Sequence, residues 1–159
     1  MEQKVTEIGI LEYSESRYGG NFTMKKIIEL FSESYEIDIR FDVFHSGIEG
    51  LTSEMVMAAK TCLDVINNHT DKLVQAIKSY YDTEVKEDVE GRGGNYITIG
   101  NVNQLAQVVT PKELFIQPLK TKILVGLYFI CDWDEEAGMG IKFDIDGNIC
   151  EIGTGEIIY

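Results

Sequence analysis

The sequence predicts an α+β fold: a mainly antiparallel sheet of meander and hairpin strands packed against one long central helix at about 52–81. Three observations carry this expectation. Tyr35, Ile37, Ile39, Phe41 and Val43 alternate strictly with Glu36, Asp38, Arg40 and Asp42, the period of two expected of a strand with one buried face. Met55, Ala59, Cys62, Ile66, His69, Leu73, Ile77 and Tyr80 recur at spacings of three and four, the apolar stripe of a helix. Ile123–Cys131 is apolar on both faces, as a central strand covered from two sides must be.

Each element follows from local chemistry. Ile8–Tyr13 reads as a first strand, and Arg17-Tyr18-Gly19-Gly20-Asn21 as a turn. Phe22–Phe31 fits either a helix or a strand face. The strand is chosen because the alternating run from Tyr35 follows, leaving Phe31-Ser32-Glu33-Ser34 as the hairpin turn. Gly47 and Gly50 end that second strand, and Thr52 or Ser53 caps the helix. The stripe keeps its phase to Tyr81 across Asn67-Asn68, where a bend or an interruption is allowed. His69 is expected to be packed, and Cys62 to be inert core.

Residues 82–94 are charged and glycine-rich and read as a mobile surface loop or linker. Asn103 is placed as the cap of a short helix to Val109. Thr110-Pro111-Lys112-Glu113 resembles a capping box with proline at the first helical position. A single turn is expected there, followed by a short strand that Pro118 ends. Asp146-Gly147 is a two-residue hairpin signal. Pairing across it sets Ile141 opposite Ile152, Phe143 opposite Cys150, and Lys142 opposite Glu151, a complementary charge pair. A last strand is expected at Glu156–Tyr159.

A chain of 159 residues is expected to form one domain, 1–159. Its 27 acidic and 14 basic side chains leave a net charge of −13. Such a field repels phosphate backbones, so no nucleic-acid partner is expected. The excess is uneven: from Cys131 to Tyr159, eight acids (132, 134, 135, 136, 144, 146, 151 and 156) stand against one base, Lys142. Cys62, Cys131 and Cys150 form no close pair, and Met1–Glu7 is polar, which fits reduced thiols and a cytoplasmic location. The apolar run Ile123–Cys131 is far short of the ~20 residues needed to span a bilayer, so no membrane partner is expected. The sequence leaves oligomeric state open.

Chemistry concentrates at Cys131–Phe143, where Asp132, Trp133, Asp134, Glu135 and Glu136 follow directly on the buried strand. These five residues are the candidate partner-binding site. The leading expectation is a non-enzymatic protein-binding module that presents an acidic face around 131–156 to a basic protein. The alternative is a metal site, or a metal-dependent enzyme, in which Asp132, Asp134, Glu135 and Glu136 ligate Ca²⁺ or Mg²⁺. A third reading makes the segment a strand terminator, with Trp133 packed and the carboxylates bonded to backbone amides near Gly138 and Gly140. Asp144-Ile145-Asp146-Gly147-Asn148 is no EF-hand, because Lys142 and Gly153 would fall at ligand positions one and twelve. His45 and His69 are the only histidines and fall on separate elements. No serine elbow, phosphate loop, zinc motif or dinucleotide fingerprint occurs. No catalytic residue and no cofactor is therefore assigned.

The C-terminal third also resembles a bacterial family of uncharacterised domains, with a Trp-Asp-x-Glu-His-Gly-x-Gly signature after an apolar strand. The matching residues are Gly126–Asp132, Trp133-Asp134-Glu135-Glu136, Gly138-Met139-Gly140-Ile141 and Glu156-Ile157. Tyr18-Gly19, the strand from Tyr35 and the helix ending at Tyr80-Tyr81 fit more loosely. Ala137 stands where the family has histidine, so any role resting on that imidazole is lost here. The resemblance implies no reaction; small acidic relatives beside toxin genes imply an immunity-like or regulatory role.

Overall fold

Strand pairing dominates the structure. The computed structural model describes residues 2–159, and among them eight strands form one sheet in sequence order. They are β1 (Gln3–Thr6), β2 (Gly9–Ser16), β3 (Gly19–Leu30), β4 (Glu33–Phe44), β5 (Val109–Pro118), β6 (Ile123–Cys131), β7 (Met139–Phe143) and β8 (Ile149–Thr154). Neighbours are antiparallel except β4 and β5, which run parallel with Ile39 opposite Leu114 and Phe41 opposite Ile116. A parallel pair needs a long crossover, and the helical segments between Phe44 and Val109 supply it. The sheet is thus two four-stranded meanders joined side by side.

The first meander agrees with the sequence expectation, with one addition. The strand expected at Ile8–Tyr13 is β2, and a short edge strand, β1, precedes it within the polar N-terminal stretch. Phe22–Leu30 is extended as chosen, but β3 already begins at Gly19, so the turn expected over residues 17–21 is confined to Arg17-Tyr18. The turn between β3 and β4 narrows to Phe31-Ser32, both with left-handed backbone at φ 54° and 60°. Two such residues match the right-handed strand twist. Phe31 adopts this uncommon conformation while its ring is buried in the core.

The single helix expected at 52–81 is broken. Thr52 does cap it, its hydroxyl accepting from the Met55 amide at 3.2 Å. However, α1 (Ser53–Asn68) stops where Asn67, Asn68, His69 and Thr70 succeed one another, all weak helix formers. Asn67 is also drawn aside, its side-chain oxygen accepting from the Glu29 amide at 2.9 Å. His69 is exposed rather than packed, 3.7 Å from Asp64. Helix α2 (Asp71–Tyr80) then passes through a π-helical turn at Tyr81–Val85 into α3 (Lys86–Gly91). The charged segment expected as a loop is therefore helical as far as Gly91. Tyr81, Val85 and Val89 are its buried residues. Their spacing of four drifts about 40° per step in an α-helix, and the wider π turn takes up that drift.

Three further expectations are corrected. Asn101, not Asn103, caps the 3₁₀ turn Val102–Gln107, with Gln104 completing a capping box. Residues 110–113 form no helical turn. β5 begins at Val109, because pairing with β4 and β6 outweighs the local capping signal, and a register shift between Pro111 and Glu113 accommodates the proline. In the β7–β8 hairpin Ile141 faces Ile152 and Lys142 faces Glu151 as expected, but Phe143 faces Ile149 instead of Cys150. The cause is Asp144, whose carboxylate accepts from the Asp146 and Asn148 amides at 2.9 Å each and draws the turn out over residues 144–148.

Helix α1 packs on β3, β5 and β6, and α2 touches β8, so the main core fills one face of the sheet. β6 matches its expected bounds, and its opposite face is covered from an unexpected source. The last residues form a 3₁₀ turn, Gly155–Ile157, rather than a strand. Gly126, Gly140 and Gly153 leave a trough on adjacent strands for Ile157 and Ile158, and a Cβ on Gly126 would sit 2.5 Å from Ile158. Tyr159 lies against Phe115 and Tyr128, while Arg40 stacks over Phe115 at 4.5 Å and pairs with Glu113 at 3.1 Å.

Candidate functional site

The five predicted site residues sit in the loop from β6 to β7, and the backbone there is tightly specified. The Asp132 amide bonds to the Val108 carbonyl at 3.0 Å, and the Gly138 amide to the Asp134 carbonyl at 2.9 Å. Asp134 Oδ1 accepts from the Ala137 amide at 3.0 Å. Gly138 has φ 68°, and a Cβ there would lie 2.5 Å from the Phe129 carbonyl oxygen, so the turn requires glycine. The Cys131 thiol, buried beneath the loop, donates to the Asp134 carbonyl at 3.5 Å. Burial pushes its pKa up to about 11, with the Asp134 and Asp132 charges adding to the rise. It is a packing residue, not a nucleophile.

Asp132, Glu135 and Glu136 are exposed, while Trp133 and Asp134 are half-buried. Asp134 is spent on its own turn, which is the role the strand-terminator reading gives it. Among the described residues, no group of three or more His, Cys, Asp or Glu side chains is placed to hold a metal ion.

The acids of 131–156 do not share one surface. Asp132–Glu136 and Glu156 gather at one end of the sheet, where the Gly155 amide bonds to the Ala137 carbonyl at 3.1 Å. Asp144 and Asp146 lie at the far end of β7, a five-residue strand that separates the two groups by roughly 15 Å. Glu151 is neutralised by Lys142 at 3.3 Å.

What the first end loses from the tail it regains from the helices. Trp133 packs edge-on to Tyr81 at 5.4 Å between centroids, and Arg92 of the α3 terminus donates to the Trp133 carbonyl at 3.0 Å. Residues 78–92 and 131–137 together carry nine acids and three bases, a net −6. The hydroxyl of Tyr80 registers this: its pKa is raised by burial first, then by Cys131, Glu84, Asp88 and Asp134. Within this group Asp82 pairs with Lys78. Burial opposes its charge, but hydrogen bonds from Lys78 and Tyr96 prevail and hold its pKa low.

Sequence reasoning missed Tyr81, Arg92 and Tyr96 as neighbours of Trp133. The signal for the first was present in Tyr81, Val85 and Val89, which extend the apolar stripe at a spacing of four. Tyr96 lies in an irregular segment without periodicity, and nothing local marks it.

A larger concavity of about 990 Å³ opens at the opposite end, between the start of α1 and the turns after β5 and β7. Met57, Leu119 and Ile145 are exposed around it. It shares no residue with the Trp133 loop. No helix among the described residues is long and apolar enough to cross a membrane.

No curated protein and no solved structure matches the chain. A family model does match, over residues 7–159, nearly the whole chain and including the Trp133 loop. The chain therefore belongs to the family described as Domain of unknown function (DUF6985).

Proposed function

We propose that this protein is a non-enzymatic protein-binding module that docks a basic partner on the acidic end built from the Trp133 loop and residues 78–92. One observation carries the reading. A half-exposed tryptophan, a residue type favoured at binding hot spots, is fixed by an edge contact with Tyr81 in the midst of a net −6 field. Such a field speeds encounter with a cationic surface and makes association salt-sensitive. A basic toxin held in an immunity-type complex is one partner of this kind. The bacterial, cytoplasmic setting inferred from the sequence suits it.

The test is affinity capture at low and high ionic strength with the wild type and the variant Asp132→Lys/Glu135→Lys/Glu136→Lys. A basic protein retained at low salt, released at high salt and not retained by the variant is the expected result. Recovery of no basic protein at either ionic strength, or equal retention by the variant, overturns the proposal.

A further inference from the structure

Three aromatic rings meet where the π turn and the loop after β6 close on each other. Tyr81 stands between Tyr96 and Trp133, with ring centroids at 5.0 Å and 5.4 Å. Both tyrosine hydroxyls are committed: Tyr81 donates to the Ile97 carbonyl at 2.6 Å, and Tyr96 to Asp82 at 3.0 Å. Tyr81 is buried and backs the other two rings, so the ring surface offered to an incoming group is that of the half-buried Trp133 and Tyr96. They line a cavity of about 390 Å³ whose charged lining residues, among the described residues, are Asp132 and Arg92. Gly93 and Gly94 border it without side chains.

The chain's own cations leave the indole uncovered. Arg92 is held by the Trp133 carbonyl and by Asp88, each at 3.0 Å. Lys86 lies 5.7 Å from the Tyr96 centroid. Among the described residues no cation stands over the ring of Tyr81 or Trp133. Tryptophan is the best cation–π acceptor of the three aromatic side chains. Here it is placed in a strongly acidic region beside an exposed carboxylate, Asp132, that forms no ion pair among the described residues.

We infer that this cavity receives an arginine side chain of the partner protein, its guanidinium stacked on Trp133 and its charge met by Asp132. Arginine suits the site better than lysine because its planar, weakly hydrated head stacks on aromatic faces. An anionic ligand would meet Asp132 and the net −6 field. The inference rests on the docking reading above and deepens it by naming the side chain that anchors the partner.

The test uses a dye-labelled peptide with one arginine among glycines and serines, and the same peptide with citrulline, which keeps the shape and removes the charge. Anisotropy follows both against the full chain. The arginine peptide is expected to bind about tenfold more tightly, and its saturation to change the emission of Trp133, the only tryptophan. In Trp133→Leu the preference for arginine is expected to vanish. Equal binding of the two peptides to the wild type overturns the inference, and so does a preference undiminished in Trp133→Leu. Should that variant not fold, the wild-type comparison still decides.

The two proposals fail separately. A basic partner captured in a salt-sensitive way with no arginine preference removes the pocket and leaves the docking reading standing. An arginine preference without any salt-sensitive basic partner does the reverse.

Discussion

Asp134 and Asp144 show how differently two half-buried loop carboxylates are used. Asp134 Oδ1 satisfies the Ala137 amide at 3.0 Å, a side-chain-to-backbone bond of the kind whose loss costs about 1 kcal/mol. Asp134→Ala is therefore expected to lower unfolding free energy by about that amount in a urea titration. Asp134→Asn, which keeps an acceptor, should cost less. Asp132→Asn should change stability little, since the Asp132 side chain makes no hydrogen bond or ion pair among the described residues. Asp144 supports its turn through charge as well. Bonds from the Asn148 backbone and side chain, and from the Asp146 and Gly147 backbone, hold its pKa below 3.8 against a smaller opposing effect of burial. A depressed folded-state pKa means that the carboxylate's contribution is fully present above the unfolded value and is lost as pH falls through the folded one. Wild-type stability should thus decline more steeply on acidification below about pH 4 than that of Asp144→Asn. A carboxyl NMR titration should place Asp144 below the ordinary aspartate value; a midpoint at that value would remove the argument.

At the scale of elements, the C-terminal turn and the trough beneath it make the sharpest claim. Gly126 carries no side chain because Ile158 fills that space, with Cγ2 2.5 Å from where a Cβ would stand. Gly126→Ala should destabilise by about 1–3 kcal/mol through overpacking. Adding Ile158→Ala should recover part of the loss, giving a coupling above about 0.5 kcal/mol in a double-mutant cycle. Strict additivity in chemical denaturation would show that the two residues do not touch. This turn was also where the sequence was least legible. Glu156–Tyr159 looks extended when read alone, and only three glycines scattered over β6, β7 and β8 reveal that something must lie across them. The contrast with β4 and β6 is instructive. There burial repeats at every second residue or runs unbroken, and strand identity is set within the segment itself. The break at His69-Thr70 was hidden because Ile66 and Leu73 stay in phase across it. The helical nature of 82–91 was hidden because five acids mask the Tyr81, Val85 and Val89 spacing. The candidate site was half legible: the Trp133 loop stands out in the sequence, but its aromatic partners come from a segment about forty to fifty residues away and are joined only by folding.

At the scale of the whole molecule, the net charge of −13 sets stability against binding. Ion pairs such as Lys25–Asp38 and Lys60–Glu7 are more than half exposed, and pairs of that kind contribute little. Screening them therefore loses less than screening the repulsion among the unpaired carboxylates gains. The melting temperature should rise as salt is added from low ionic strength; a fall would mean that the ion pairs prevail. The same balance predicts the behaviour of Asp132→Lys/Glu135→Lys/Glu136→Lys, which moves the net charge from −13 to −7. All three positions are exposed, and none makes a side-chain hydrogen bond among the described residues. At low salt the variant should melt at or above the wild-type temperature and depend less on ionic strength, while losing the basic partner. Stability and binding would then change in opposite directions in one protein. That outcome separates a surface selected for docking from one selected for folding, because carboxylates needed for folding would take the melting temperature down with the affinity.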